Sequence, residues 1–256
     1  MQLTFLGTGT SMGVPMIGCT CAVCTSSDVR NQRLRTSALL HINNRQILID
    51  AGPDFRIQAL KARIEQIDAL LLTHSHFDHV AGLDDLRPIN FRQKRAIPVY
   101  GDQQTLDAVR ERFHYAFVEQ NTSQGSTRPA LELNRFDGPF QLADTEIRPL
   151  KVMHGSWQIT GYRIGSLGYV TDASVLPAES REQLRELDVL VLNALRFEPH
   201  PTHFSLQEAL EVVEDLKPRR TYFVHMAHDI DHAEVSAQLP DGVFLAYDGL
   251  VVDVCE

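Results

Sequence analysis

The run His74-Ser75-His76-Phe77-Asp78-His79 puts three imidazoles and a carboxylate within six positions. Imidazole nitrogen and carboxylate oxygen are ligands for zinc, manganese and iron, and the mixture does not choose between these metals. The run follows Asp68 to Leu72, an apolar stretch without alternation that predicts a strand buried on both faces. In extended backbone, residues two apart point the same way, so His74 and His76 can serve one ion. Asp78 and His79 then open a helix expected from Val80 to Leu86 and offer two further ligands from the turn. A lone histidine at a strand end is usually a hydrogen-bonded core residue. Four such groups buried together are costly unless a cation compensates them.

More candidates stand at other strand ends: His154 after Glu146 to Val152, Asp172 after Gly168 to Val170, and His225 after Thr221 to Val224. Singly, each could be satisfying turn amides; their shared placement marks them as ligands. His203, in Pro201-Thr202-His203-Phe204-Ser205, is a loop imidazole able to protonate a departing alkoxide, a step worth roughly 10² to 10⁴ in rate. It could instead just precede the cap of the next helix, and His200 competes with it. Cys19, Cys21 and Cys24 lie too close together for ordinary disulfides and well spaced for a structural zinc. His228, three residues after His225, is a candidate fourth ligand, and Cys255 is its rival.

These residues need a scaffold of strands. The chain has 256 residues, 43% hydrophobic and 22% charged, enough for a sizeable core. Gln2 to Leu6 reads as a first strand, and Thr36 to Ile42 with Gln46 to Ile49 as a hairpin turned by Asn43-Asn44-Arg45. Ile97 to Tyr100, Tyr162 to Ile164, Val189 to Leu192 and Val243 to Ala246 are further strands. Helical periodicity marks Gln103 to Phe113, Pro177 to Leu187 and Ser205 to Leu216, the last opened by a Ser205/Glu208 capping box. Val118 to Arg128 is polar and reads as a loop, with no composition shift that would mark a linker. One mixed α/β domain over residues 1–256, with two sheets packed face to face and helices outside, is the economical reading. No apolar run reaches the ~20 residues needed to span a bilayer, and the start of the chain lacks the features of a signal peptide. The expectation is a cytoplasmic protein without a membrane partner.

The motif His74-x-His76-x-Asp78-His79 resembles the signature of the metallo-β-lactamase superfamily, and the resemblance runs from Gly7-Thr8-Gly9-Thr10 through Leu48-Ile49-Asp50-Ala51-Gly52 to Ala246-Tyr247-Asp248-Gly249. It implies the αββα sandwich and two catalytic divalent ions, Mn or Zn. His74, His76 and His154 would hold one ion, Asp78, His79 and His225 the other, and Asp172 would bridge them. Asp50 would support the ligands from behind. With Cys19-x-Cys21-x-x-Cys24 and His225-x-x-His228, the chain looks like the PhnP-type phosphodiesterases associated with phosphonate breakdown. That likeness is weaker between Gln103 and Phe140. It implies hydrolysis of small cyclic phosphodiesters, of the ribosyl cyclic phosphate or 2′,3′-cyclic nucleotide type, by a di-metal-activated hydroxide. Asp172 and His203 would be the catalytic residues, with a structural zinc on Cys19, Cys21, Cys24 and His228.

Two other functions compete. The tRNase Z group shares the signature but grips RNA through a basic arm, whereas this chain carries a formal net charge of -9 and only a short basic stretch at Arg30, Arg33 and Arg35. PqqB-like proteins share the cysteine trio and have been considered carriers; they tend to lack part of the catalytic shell, while all seven ligands can be named here. The expected partner is a small phosphodiester, and a homodimer is left open.

Overall fold

The computed structural model describes residues 1–117, 128–142 and 144–255. The loop expected from Val118 to Arg128 lies, apart from Arg128, outside the described residues. Two seven-stranded mixed sheets form the centre. In the first, β1 (Gln2–Gly7), β2 (Ser37–Ile42), β3 (Arg45–Ile49), β4 (Ala69–Leu71), β5 (Ile97–Gly101) and β6 (Leu131–Arg135) follow in spatial order. The second runs outward from β7 (Phe140–Leu142) through β8 (Thr145–His154), β9 (Trp157–Ile164), β10 (Leu167–Tyr169), β11 (Val189–Asn193) and β12 (Arg220–Val224) to β13 (Val243–Leu245). The last strand, β14 (Val251–Asp253), returns to pair antiparallel with β1.

Period-two alternation explains the layering. Leu40, Ile47, Ile49 and Leu71 face Tyr162, Ile164, Val189 and Val191 in the layer between the sheets. Leu39, Leu48, Leu70 and Leu72 face away, onto the helices that carry Phe55, Val80, Leu86 and Leu106. On the other side, Leu190, Leu192 and Phe223 meet Leu206, Ala209, Val212 and Leu216 of the helix Leu206–Leu216. Strands thus buried on both faces read as near-continuous apolar runs. The outcome is the expected αββα sandwich. No helix among the described residues is long and apolar enough to cross a membrane.

Strand direction positions the chemistry. β3 to β6 are parallel, as are β10 to β13. Asp50, His74, Asp172 and His225 each lie one to three residues beyond the carboxyl end of such a strand, the usual ligand-binding side of α/β sheets. The hairpin turn forms as expected, with Asn43 and Asn44 at φ 47° and 60°. The helix expected from Val80 to Leu86 differs: a short helix spans Phe77–Val80, and a 3₁₀ turn spans Leu83–Leu86. At Gly82 an added Cβ would lie 2.1 Å from the Gly52 carbonyl oxygen, so only glycine allows the close approach that separates them.

Candidate metal centre

Asp50 lies at the base of the centre, fully buried and at φ 59°. One of its oxygens accepts from the Thr73 amide at 2.8 Å, and the other from Thr73 Oγ1 and His79 Nδ1, each at 2.7 Å. Burial pushes the Asp50 carboxyl up; the facing imidazole and these donors oppose that. The bond to His79 fixes which ring nitrogen turns inward, leaving Nε2 for the cleft. His154 is fixed in the same way, with Nδ1 donating to the carbonyls of Asp172 and Thr202 at 2.7 and 2.8 Å.

The inward-facing atoms converge. His79 Nε2 lies 3.3 Å from Asp78 Oδ2 and 3.2 Å from Asp172 Oδ2, and His225 Nε2 lies 2.9 Å from Asp172 Oδ1 and 3.5 Å from Asp78 Oδ2. Ligand atoms of Asp78, His79, Asp172 and His225 all fall within 4.8 Å of one another, as do those of His154, Asp172 and His203. His74 Nε2 and His76 Nδ1 are 3.0 Å apart, and the two rings lie 5.7 and 5.0 Å from that of His154. His203 Nε2 sits 3.0 Å from Asp172 Oδ1. All seven residues expected as catalytic ligands, and His203 with them, therefore line one cleft. His200 is beside it, with Nδ1 3.2 Å from His203 Nδ1.

These residues fit divalent ions. His79 Nε2 and both ring nitrogens of His225 are buried without a hydrogen-bond partner, although carboxylate oxygens lie near. The groups are close but misaligned for bonding one another, as ligands aimed at a shared point would be. A zinc ion with bonds of about 2.0–2.1 Å to nitrogen seats tetrahedral ligand atoms roughly 3.4 Å apart, the scale of these separations. The electrostatics agree. Burial raises the Asp172 carboxyl, yet the His225 and His79 imidazoles outweigh it and hold the group well below the usual carboxylate range. Burial lowers His225, but Asp172 and Asp78 drive it up to about 9. Burial dominates at His203, pushed down to about 4, and also at His74, pushed well below the ordinary imidazole range. Two anionic carboxylates here attract protons to neighbouring imidazoles, and divalent cations would replace those protons.

A second cluster lies where the N-terminal loop meets the chain after β12. Cys19 Sγ and Cys21 Sγ are each 3.3 Å from His228 Nδ1, and the four ligand atoms including Cys24 Sγ lie within 4.8 Å of one another. Backbone amides of Met16, Cys21 and Cys24 point at the sulfurs of Cys24, Cys19 and Cys21. Tetrahedral zinc with Cys and His ligands puts sulfur and nitrogen about 3.5 Å apart, so the set fits a closed shell. Hydrogen bonding from the Cys24 amide and His228 pulls the Cys21 thiol down to about 6, while burial pushes Cys24 up to about 11. Cys255 is exposed and outside the cluster.

Some supporting residues escape sequence reasoning. Asn193 brackets Ala173, accepting from its amide at 2.7 Å and donating to its carbonyl at 3.0 Å, which pins Asp172 at φ 57°. Arg33, 1% exposed, donates to the carbonyls of Ala227 and Ile230 on either side of His228. Trp157 packs its ring against His74 and His76. The Thr73 bonds could have been suspected from its place before His74; the other three depend on long-range pairing.

A Beta-lactamase superfamily domain model matches residues 45–226. Over 255 residues the chain is 42% identical to a protein of Porphyromonas gingivalis named octanoyltransferase; the match covers 98% of this chain and 51% of that protein, so the chain spans about half its length. A crystal structure described as a new diphosphatase from the PhnP family superposes with a TM-score of 0.91 at 44% identity, covering 98% of this chain and 97% of that one. Zinc-bound PqqB from Methylobacterium extorquens, at 20% identity, shares the fold with a TM-score of 0.77 over 99% of this chain and all of that one.

Proposed function

The chain belongs to the β-lactamase superfamily, and from that premise we propose that it is a metal-dependent hydrolase of small phosphodiesters, cyclic ones above all. The observation that carries this reading is the convergence on Asp172. One of its oxygens faces His225 and His203, the other faces His79, and His154 is bonded to its backbone carbonyl. Bound there, a pair of divalent ions would make a water acidic at neutral pH and draw charge from the oxygens of a phosphoryl group.

The chain's own residues do the rest. Asp172 presents Oδ2 to His79 and Oδ1 to His225 and His203, and stays ionised beside its imidazoles. Asp50 and the carbonyls of Asp172 and Thr202 hold His79 and His154 in one tautomer and orientation. His203 is neutral at pH 7 and donates through Nε2–H to Asp172 Oδ1. Its role is to turn that N–H to the departing oxygen and hold the negative charge that builds there by a hydrogen bond, the product's proton coming from solvent. The net charge of -9 supports a small substrate over RNA.

A second reading, cleavage of a diphosphate bridge, is favoured by the 44% identity to a PhnP-family diphosphatase. Acyl transfer has less support. An acyl-enzyme route uses an activated nucleophile, commonly cysteine or serine, and the metal cleft has no cysteine among its described ligand groups. A carrier role like that considered for PqqB-like proteins fits poorly with a complete set of seven ligands. The test is an assay of the metal-loaded protein on a 2′,3′-cyclic nucleotide and a dinucleoside diphosphate, followed by ³¹P NMR, and on an octanoyl thioester, followed by release of the free thiol. The proposal expects the cyclic diester to open fastest. Turnover of the diphosphate alone would shift the assignment to the second reading, and thioester cleavage alone would overturn both.

A further inference from the structure

Trp157 is the only tryptophan in the chain. It opens β9 directly opposite His154 in the β8–β9 register. Its ring centroid lies 5.5 Å from that of His74 and 4.9 Å from that of His76, both edge-on, and 6.3 Å from that of His154. No ring contact joins it to His79, His203 or His225 among the described residues. The indole is half-buried and packs against the apolar layer that includes Leu150, Val152 and Ile159. It is therefore a rigid wall against one half of the ligand set alone.

We propose that Trp157 is a positioning residue that sets the affinity of the metal position formed by His74, His76 and His154, independently of the position formed by Asp78, His79 and His225. The inference rests on the metal-dependent reading above. His74 is oriented by the Thr73 hydroxyl, 3.0 Å from its Nδ1. His76 has no such bond; its Nδ1 faces His74 Nε2. Apart from its fellow ligands His74 and His154, the indole is the aromatic ring packed edge-on against His76, and that packing restricts the His76 ring. The indole also keeps water from the back of three ligands, and an apolar surround strengthens their attraction to a cation.

Intrinsic fluorescence then reports that position directly. Metal-depleted protein is titrated with Co²⁺ while tryptophan emission, cobalt–thiolate absorption from the cysteine cluster and bound cobalt by equilibrium dialysis are followed together. The proposal expects a quenching step that tracks one equivalent of cobalt and is separate from the thiolate signal. It expects Trp157→Leu to weaken one of the two cleft ions about tenfold and leave the other within about twofold, and Trp157→Phe to bind both within about threefold of the parent. Absence of quenching, equal loss of both ions in Trp157→Leu, or failure of phenylalanine to restore binding would each overturn it. If Trp157→Leu does not fold, parent quenching and Trp157→Phe binding decide. If the parent cleft binds no ion while the cysteine cluster does, the metal-dependent reading itself fails, a result distinct from unchanged binding in the variants.

Discussion

At the scale of single residues, Asp50, Asp172 and His225 share a feature: all three sit at positive φ, 59°, 57° and 56°. Left-handed backbone at a non-glycine residue costs roughly 1–2 kcal/mol, and here it turns the chain sharply after a strand so that the side chain enters the cleft. Asp172→Asn retains the shape but removes the charge that faces His79, His203 and His225. Its expected outcome is loss of at least about a thousandfold in kcat, with less than the full complement of cleft metal by elemental analysis. His203→Ala should retain the metal and lower kcat by about 10²–10⁴ with KM little changed, as measured by steady-state kinetics on the cyclic diester. His232 offers a check away from the cleft. Burial, aided by Arg30 and Arg33, pushes it down to about 4. The unfolded chain takes up this proton near pH 6.5 and the folded chain only near pH 4, so stability is lost as pH falls through that interval. A ¹³C-imidazole NMR titration should place the His232 midpoint near 4; a midpoint at 6 or above would contradict the burial argument. The convergence of the His74–His79 run was legible because its spacing resembles a coordination pattern, and so was that of the cysteine trio. Trp157 was not, since its role depends on which residue of β8 stands opposite it.

Among the elements, the segment from His225 to His228 joins the two clusters, and Arg33 adds side-chain bonds to the backbone pairing that Thr8, Thr10 and Leu195 give it. The Arg33 guanidinium donates to the Ala227 carbonyl at 2.9 Å, the Ile230 carbonyl at 2.6 Å and Asn31 Oδ1 at 3.0 Å, and its backbone pairs with Val14 beside the cysteine loop. Arg33→Met takes the donor from the Ile230 carbonyl and the shorter of two bonds from the Ala227 carbonyl, and should cost about 2–4 kcal/mol by urea unfolding. The same variant should hold zinc less tightly at the cysteine cluster in a chelator competition. The helix Leu206–Leu216 begins with the capping box expected from Ser205 and Glu208, both of whose bonds form. Strands with two apolar faces and a helix with a cap and a stripe were readable locally. β6, β7 and β14 were not. Leu131–Arg135 is polar, and β14 pairs with β1 across nearly the whole chain, information that no local window contains. β9 also starts earlier than the expected Tyr162, because Gly161 interrupts the apolar pattern. That glycine is required by packing: a Cβ there would meet Val152 at 3.0 Å and the Tyr169 carbonyl at 3.2 Å.

For the whole molecule, three apolar layers hold two sheets rigidly enough to bring ligands from four strand ends together, and a small contact between sheets matters directly. The Tyr162 hydroxyl, fully buried between them, donates to the Leu72 carbonyl at 2.6 Å, two residues before His74. Tyr162→Phe should lower stability by about 1–3 kcal/mol by leaving that carbonyl unpaired. The net charge of -9 has a kinetic consequence. Against a mononucleotide diester, kcat/KM should vary by only a few-fold between about 50 and 200 mM salt, whereas an enzyme gripping RNA through many phosphates loses about 10³–10⁵ in affinity over that range. In the proposed reaction the His–Asp cleft, loaded with divalent ions, would direct water to the phosphorus of a small phosphodiester. Hydrolysis of a 2′,3′-cyclic nucleotide in ¹⁸O-water, followed by mass spectrometry of the product, tests it most directly. The expected product carries one ¹⁸O on its phosphate, with turnover abolished by chelation and restored by Mn²⁺ or Zn²⁺; unchanged turnover in chelator, or no turnover with any divalent ion, would overturn the proposed reaction.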